Sequence, residues 1–365
     1  MGPYLDKLQK IIINFWQPQT AIYHYTTFLT EIGNSLQINV IDDKIKWNAS
    51  HKGIDFYGRF SKSYLNTVLP RYSHSDLVGY LKELENGNTV FHYTSQRDII
   101  LTDSENTLFT LHDNPFSLFD TDLYSNGPVN GLQKLHKKLG KFIFEHNCLN
   151  SPYITTNTDY VKNSLIKYGY KGYIETVYHP VSKVFRKLDE TKTKLRMELN
   201  LPLDKILLLS VSNKVFRKNL PLIEELGRNI SKDYIIIRVG EGIKNSINFN
   251  WIDDETLNKL YNACDVLLFP SLEEGQGLPV IEAFAAGLPV VASDIPVLRE
   301  VAGNAAIFID PHDVESFYDG IKEALNINEQ LQEDGLVMSK KYSFDIFKNR
   351  MEKLYHHILQ NGFKK

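Results

Sequence analysis

The stretch Phe269-Pro270-Ser271-Leu272-Glu273-Glu274-Gly275-Gln276-Gly277-Leu278-Pro279-Val280-Ile281-Glu282-Ala283-Phe284-Ala285-Ala286-Gly287-Leu288-Pro289-Val290-Val291-Ala292-Ser293 decides the fold. It reads as strand, glycine loop, helix, turn and strand. Gly275 and Gly277 let the backbone take positive φ and approach a ligand closely. Pro279 suits the first helical position, and Gly287 suits the residue just past the helix end. The unpaired N–H groups of a helix start, reinforced by the dipole, form an anion site fit for a diphosphate. Glu274 lies in the loop before the helix and Glu282 on its first turns. The remaining helix residues are small or apolar, so Glu282 is the one charge on a helix that reads as buried. A carboxylate there costs on the order of several kcal/mol unless partners meet it. Sugar hydroxyls, backbone amides or an arginine would each serve, and spacing alone does not choose among them.

Working outward, the second half repeats one pattern. Strands are expected over 206–211, 234–239, 247–252, 266–269, 290–292 and 306–309. Helices are expected over 220–230, 255–264 and 279–286, with Asp254 placed to cap the second of these. The first half opens on Ile11-Ile12-Ile13-Asn14-Phe15 and carries further strand runs at 89–93, 108–111, 153–156 and 173–178. Helical stretches at 21–31, 75–85, 130–145 and 159–168 lie among them. Strands alternating with helices imply parallel sheets wrapped by helices. A chain of 365 residues exceeds what one core usually supports, so two domains are expected. The charged, polar stretch 182–200 is the natural boundary. Two doubly wound domains would present a ligand cleft at the carboxyl ends of their strands.

Composition narrows the classes. A net charge of −3 offers no global attraction to nucleic acid, so no nucleic-acid partner is expected. Cys148 and Cys264 are far apart, without a CxxC or a His/Cys cluster, which points to a reducing compartment and away from zinc. No apolar run approaches the ~20 residues of a membrane span, and the start lacks a signal-peptide pattern. A cytoplasmic protein is expected, and the Asn48-Ala49-Ser50 sequon is then irrelevant. Lys134, His136, Lys137, Lys138 and Lys141 share the helix 130–145 with Leu132, Leu135, Leu139, Phe142 and Ile143. Such a helix either lays its apolar face on the core, the favoured reading, or makes peripheral contact with anionic lipid at the inner membrane face.

The opening stretch closely resembles the signature of the retaining GT-B glycosyltransferases of family 4 (glycosyl transferases group 1). There E-G-x-G-L-P-x-x-E is followed by A-x-G-x-P-V-V-A-S, and Glu274 and Glu282 match its E-x7-E pair. The run Leu-Asn-Lys-Leu-Tyr-Asn-Ala-Cys-Asp-Val-Leu-Leu-Phe-Pro-Ser (257–271), Leu298-Arg299-Glu300-Val301-Ala302-Gly303 and Asp310-Pro311-His312-Asp313 resemble the flanking segments. The resemblance implies an α/β, GT-B protein, with two Rossmann-like doubly wound domains facing a central cleft. Residues 1–185 would form the acceptor-side domain and 186–345 the nucleotide-sugar domain, with a C-terminal helix, 346–365, packing back onto the first. It further implies that Glu274 bonds donor-sugar hydroxyls and Glu282 the ribose. Backbone amides of Gly275, Gln276, Gly277 and Leu278 would meet sugar and phosphate oxygens, and base selection would involve loops near Val239 and Ile252. Lys218 falls on the family's phosphate lysine, where it would neutralise charge on the departing diphosphate.

Departures from the pattern are also visible. The family's Gly-Arg pair reads Ser212-Asn213, so Asn213 stands where an arginine is usual. Arg217, beside Lys218, is the substitute on offer; a solvated basic run is the other reading. Leu108-Phe109-Thr110-Leu111-His112-Asp113 resembles the family's strand ending in His-Asp and brings His112 towards the reacting sugar. His92 is a weaker candidate of the same kind. Trp16-Gln17-Pro18-Gln19-Thr20-Ala21-Ile22-Tyr23 replaces the family's glycine-rich acceptor loop, leaving the acceptor (sugar, lipid or protein) unread.

The expected activity is transfer of a hexose from a UDP-, GDP- or ADP-sugar to an acceptor hydroxyl, with retention and without a metal or other cofactor. Glu274, Lys218, Arg217 and His112 are the expected catalytic set. The competing readings are a sugar-nucleotide epimerase or hydrolase of the same architecture, and a binding protein that has lost catalysis, for which Ser212-Asn213 is the hint. Asp120-Thr121-Asp122 matches a metal-diphosphate D-x-D motif, a weak three-residue signal.

Overall fold

The computed structural model of the protein describes residues 10–13, 28–29, 31–32, 39–42, 89–94, 105–118 and 131–361. The candidate helix over 75–85, most of that over 21–31, the loop 16–23, the sequon and Asp120-Thr121-Asp122 lie outside the described residues.

The chain divides into two compact units, passing from the first into the second between Tyr178 and His179 and back between Phe344 and Asp345. The first unit holds six strands: β1 (Lys10–Ile13), β2 (Asn39–Asp42), β3 (Thr89–Tyr93), β4 (Thr107–Leu111), β5 (Tyr153–Thr156) and β6 (Tyr173–Thr176). They lie in the order β2-β1-β3-β4-β5-β6, with each pair parallel. The sequence reading has no counterpart to β2; a four-residue edge strand gives almost no periodic signal. Helices α1 (Gly131–Asn150) and α2 (Asp159–Tyr168) follow β4 and β5. In α1 the buried positions Gly140, Phe144 and Cys148 recur every fourth residue, while Phe142 is 64% exposed beside exposed Lys141. The sequence reading put Phe142 on the apolar face. Two residues of helix turn it by about 200° from Phe144, so it cannot share that face.

The second unit runs from His179 to Phe344. Its helix α3 (Lys192–Glu198) lies inside the charged stretch that the sequence reads as boundary. There Arg196 is buried, donating to the carbonyls of Ala263 (2.9 Å) and Lys205 (3.0 Å) and to the Asp265 carboxylate (2.6 Å). Then come β7 (Ile206–Val211), α4 (Leu220–Asn229), β8 (Tyr234–Val239), β9 (Ser246–Phe249), α5 (Asp254–Ala263) and β10 (Val266–Phe269). They are followed by α6 (Leu278–Ala286), β11 (Val290–Ser293), α7 (Pro296–Ala302), β12 (Ile307–Ile309), α8 (Val314–Asn326) and α9 (Asn328–Ser339). Strand β9 stops at Phe249, short of the expected 252. The cap of α5 is Asp253, whose carboxylate accepts from the Thr256 amide at 2.7 Å; Asp254 is already helical.

The second sheet runs β12-β11-β10-β7-β8-β9, again with each pair parallel. Near-continuous apolar strands such as Ile206–Val211 suit a sheet covered on both faces. Counted from β9 inward, this is the doubly wound order in which the strand order reverses between β7 and β10. Ligands in such sheets bind outside the carboxyl ends of the strands at that reversal. The loops after β7 and β10 are therefore the ones to inspect.

The closing helix α10 (Phe344–Asn361) belongs from Asp345 onward to the first unit. There the Tyr355 hydroxyl meets His92 Nδ1 at 2.9 Å and Arg350 donates to the Thr176 carbonyl at 3.0 Å. Among the described residues no helix is long and apolar enough to cross a membrane.

Helix α6, which carries the signature, is held by burial of Val280, Ile281, Ala283, Phe284 and Ala286. Its Phe284 ring packs so closely on Gly335 of α9 that a Cβ there would come within 2.9 Å of it. Phe284→Ala is expected to cost about 3–5 kcal/mol, measured by urea unfolding; a loss near zero would mean that α6 is not anchored in this way.

Candidate active site

After β7 the chain makes a short 3-10 turn, Phe216–Lys218, and after β10 it runs through Ser271 to Gly277. The Leu272 amide donates to the Arg217 carbonyl at 2.7 Å, joining the two loops. The tight turn brings consecutive basic side chains onto one carboxylate. Arg217 Nη1 donates to Glu274 Oε2 at 3.0 Å and to the Glu273 carbonyl at 2.9 Å. Lys218 Nζ bonds Glu274 Oε1. The side chains of Arg217, Lys218 and Glu274 keep only 15%, 11% and 6% of their surface. Burial would raise the Glu274 carboxyl, but the Lys218 and Arg217 charges, with bonds from Lys218 and Ser271, bring it down to about 2. It is therefore a carboxylate at any working pH, able only to accept hydrogen bonds. Two cations thus converge on one carboxylate.

Helix α6 begins beside it. Gly277 caps the helix in the left-handed region at φ +83, and a Cβ there would meet Leu298 Cδ2 at 2.8 Å. Gly275 is buried, and Leu278 is the first helical residue. The Gln276 side chain turns away from the loop and pairs with the backbone of His179. Glu282, on the second turn, meets neither an amide nor an arginine. The buried Tyr261 hydroxyl donates to its Oε2 at 2.8 Å, and Tyr261 packs edge-on against Phe185. Burial pushes the Glu282 carboxyl up to about 7, the Tyr261 bond opposing and Asp254 adding to the rise. Glu282 is half-buried as a residue, its carboxyl the deeper part.

A further cation lies below the β7 loop. Arg238, in β8, is fully buried and donates to the carbonyls of Ser210 (3.1 Å), Ser212 (2.5 Å) and Val239. Burial lowers it to about 10, against the pull of Glu241, so it stays charged. Gly240, at φ +114, lets the strands meet here: a Cβ would lie 2.1 Å from the Ser212 carbonyl oxygen. Glu241 accepts from the Lys214 amide at 2.8 Å. The end of β8 thus fixes the loop Ser212-Asn213-Lys214 from beneath. The sequence reading missed Arg238, although one charge in the apolar run Tyr234–Val239 carries the same signal that singled out Glu282.

The other candidates are less gathered. Asn213 is exposed, and Ile252 is half-buried in the loop after β9 beside Trp251, which is 79% exposed. His112 follows β4 in the first unit, buried, with Nε2 2.5 Å from the Thr94 carbonyl oxygen. That oxygen only accepts, so Nε2 carries the proton. Burial lowers the His112 pKa, while the Thr94 carbonyl and Asp113 oppose the change. His92 is a satisfied core residue: Nδ1 meets Tyr355, Nε2 lies 2.6 Å from Thr110 Oγ1, and burial lowers it to about 3.

Two all-parallel Rossmann-like sheets, one with a charged cluster at its reversal point, define the GT-B fold, and known proteins agree. The family "Glycosyl transferases group 1" matches residues 191–335. The chain is 27% identical over 223 residues to the O-antigen chain mannosyltransferase RfbU of Salmonella typhimurium, covering 59% of this chain and 62% of that protein. It is 36% identical over 104 residues to O-antigen chain mannosyltransferase B of Escherichia coli, 26% of each chain. It therefore spans less than two thirds of the length of these curated relatives. Among solved structures, sucrose-phosphate synthase from Thermosynechococcus elongatus superposes with a TM-score of 0.73 at 15% identity, covering 96% of this chain and 99% of that one.

The raised Glu282 carboxyl has a stability consequence. The folded protein holds this proton up to about 7, whereas the ordinary value is 4.5. Stability from this group is fully present below pH 4.5 and is lost as pH rises through 7. The loss is at most ~3 kcal/mol, less where water reaches the group. Glu282→Gln should flatten the fall in unfolding free energy between pH 5 and 8, a window set by that shift. An unchanged slope would show that Glu282 is not the group responsible.

Proposed function

We propose that the protein transfers a hexose from a nucleoside-diphosphate-sugar to a glycan hydroxyl, with retention of anomeric configuration and no metal ion. The observation that carries this reading is the Glu274 carboxylate between Arg217 and Lys218 at the start of α6. The ionised Glu274 would accept hydrogen bonds from donor-sugar hydroxyls. Lys218, Arg217 and the first amides of α6 would take the charge that grows on the departing diphosphate, a stabilisation strongest in the transition state. The leaving phosphate would receive the acceptor proton. Glu282, with Tyr261 on one oxygen, would accept from the ribose hydroxyls, and the loop 250–252 would flank the base. His112 stays a proposed catalytic residue on the resemblance of its strand alone, neutral with its proton on Nε2. The names of the relatives make an activated mannose the first donor to test and a growing saccharide the first acceptor.

Thermal shift against UDP-, GDP- and ADP-sugars should reveal one preferred base. Turnover of that donor should continue undiminished in a chelator. Glu274→Gln and Lys218→Ala should each cut kcat by about 10²-fold or more while circular dichroism stays unchanged. Near-normal turnover in both would sink the assignment.

For location, we propose peripheral contact between α1 and anionic lipid at the inner membrane face. Exposed Phe142 lies among Lys138 and Lys141, an apolar wedge within positive charge. Flotation with anionic liposomes should fall as salt is raised and fall further in Phe142→Ser; flotation insensitive to both would reject it.

A further inference from the structure

The residue between the two loop glycines does more than fill the motif. The Gln276 side chain accepts from the His179 amide at Oε1 (2.9 Å) and donates from Nε2 to the His179 carbonyl (3.0 Å). Both residues are buried, at 3% and 5% exposure. A carboxamide carries donor and acceptor side by side, so it pairs with a main-chain unit as a neighbouring strand would. A leucine or methionine of similar reach could make neither bond.

His179 is the first residue past the crossing from the first unit into the second. The segment after it is pinned to the second unit at further points. Val181 donates to the Tyr342 carbonyl at 2.8 Å, Arg186 to Asn258 Oδ1 at 3.1 Å and Leu188 to Asn262 Oδ1 at 2.9 Å. Those partners lie on α5 and near α10. Gln276 alone of these anchors belongs to the loop that holds Glu274 and opens α6. That loop has Gly275 and Gly277 on either side of Gln276, and glycines give it little stiffness of its own.

We infer that Gln276 is a positioning residue that ties the donor loop to the chain crossing at His179, so that nucleotide binding and the order of the crossing segment are coupled. The inference rests on the reading of this loop as the donor site. Coupling of this kind is reciprocal: a ligand that orders the loop must also order what the loop holds. Fixing the loop from outside also means that its amides need not be ordered when the donor arrives.

Hydrogen exchange at the His179 amide tests this in the full chain, with and without the nucleoside diphosphate selected by thermal shift. In the wild type, exchange should slow further on binding. In Gln276→Met it should quicken at least tenfold without ligand and lose its response to nucleotide, while the donor KM rises about tenfold and kcat changes less. The Val181 and Leu188 amides, held by other residues, should keep their rates, which a general loosening would not allow. Nucleotide that binds the wild type without slowing His179 overturns the coupling, even if the variant fails to fold. A Gln276→Met protein with normal exchange and KM overturns the positioning role. Absence of saturable binding by any nucleoside diphosphate to the wild type rejects the donor-site reading, and this inference falls with it.

Discussion

The Glu274 carboxylate sits between the Lys218 ammonium and the Arg217 guanidinium, and the two loops at the switch point of the second sheet meet through it. A carboxylate this deeply buried would be too costly to keep ionised alone, and a single cation would only balance it. Two cations hold Glu274 as a pure acceptor just before the first turn of α6, where the helix dipole also favours negative charge. The 3-10 turn over Phe216–Lys218 makes this possible, because it sets adjacent side chains towards the same partner. The left-handed Gly277 and the apolar packing of α6 then fix where that charge lies.

The two glutamates of the signature show how environment divides identical chemistry. Both are drawn out of water, which alone would raise both. Glu274 meets two full charges and falls to about 2; Glu282 meets one neutral hydroxyl and rises to about 7. One is therefore fixed as an acceptor, while the other stands near its midpoint at neutral pH, where new hydrogen-bond donors would draw off its proton. An arginine at Tyr261 would have erased the difference.

The fold was largely legible because it rests on signals local in sequence: continuous apolar runs for parallel strands, Pro and Gly as helix punctuation, and one long signature. β2 was not, since four residues at a sheet edge carry no period. Phe142 was misplaced because a dense run of apolar residues in α1 outnumbers the positions that one face can take. Asp253 and Asp254 are adjacent caps by composition, and only the backbone at the helix start separates them. In the site, Glu274, Arg217 and Lys218 could be named, but not that they would bind one another. Nothing local predicts that Gln276 reaches back to His179, or that Glu282 finds Tyr261, because those pairs are separated by 97 and 21 positions.

Arg238 bears on the departure that seemed to weaken the site, Ser212-Asn213 in place of the family's Gly-Arg pair. Asn213 is exposed and brings no charge, yet the loop that carries it is not left slack. Its carbonyl at Ser212 is held by the buried guanidinium, its amide at Lys214 by Glu241, and Gly240 admits both at close range. The guanidinium donates to three carbonyls, and the Glu241 carboxylate close by helps to keep it charged. The loop's shape is thus supplied from the strand below rather than from the loop itself. The absence of the arginine therefore removes a hydrogen-bond donor from the surface of the site without loosening the loop that would have carried it, and Arg217 and Lys218 remain on Glu274.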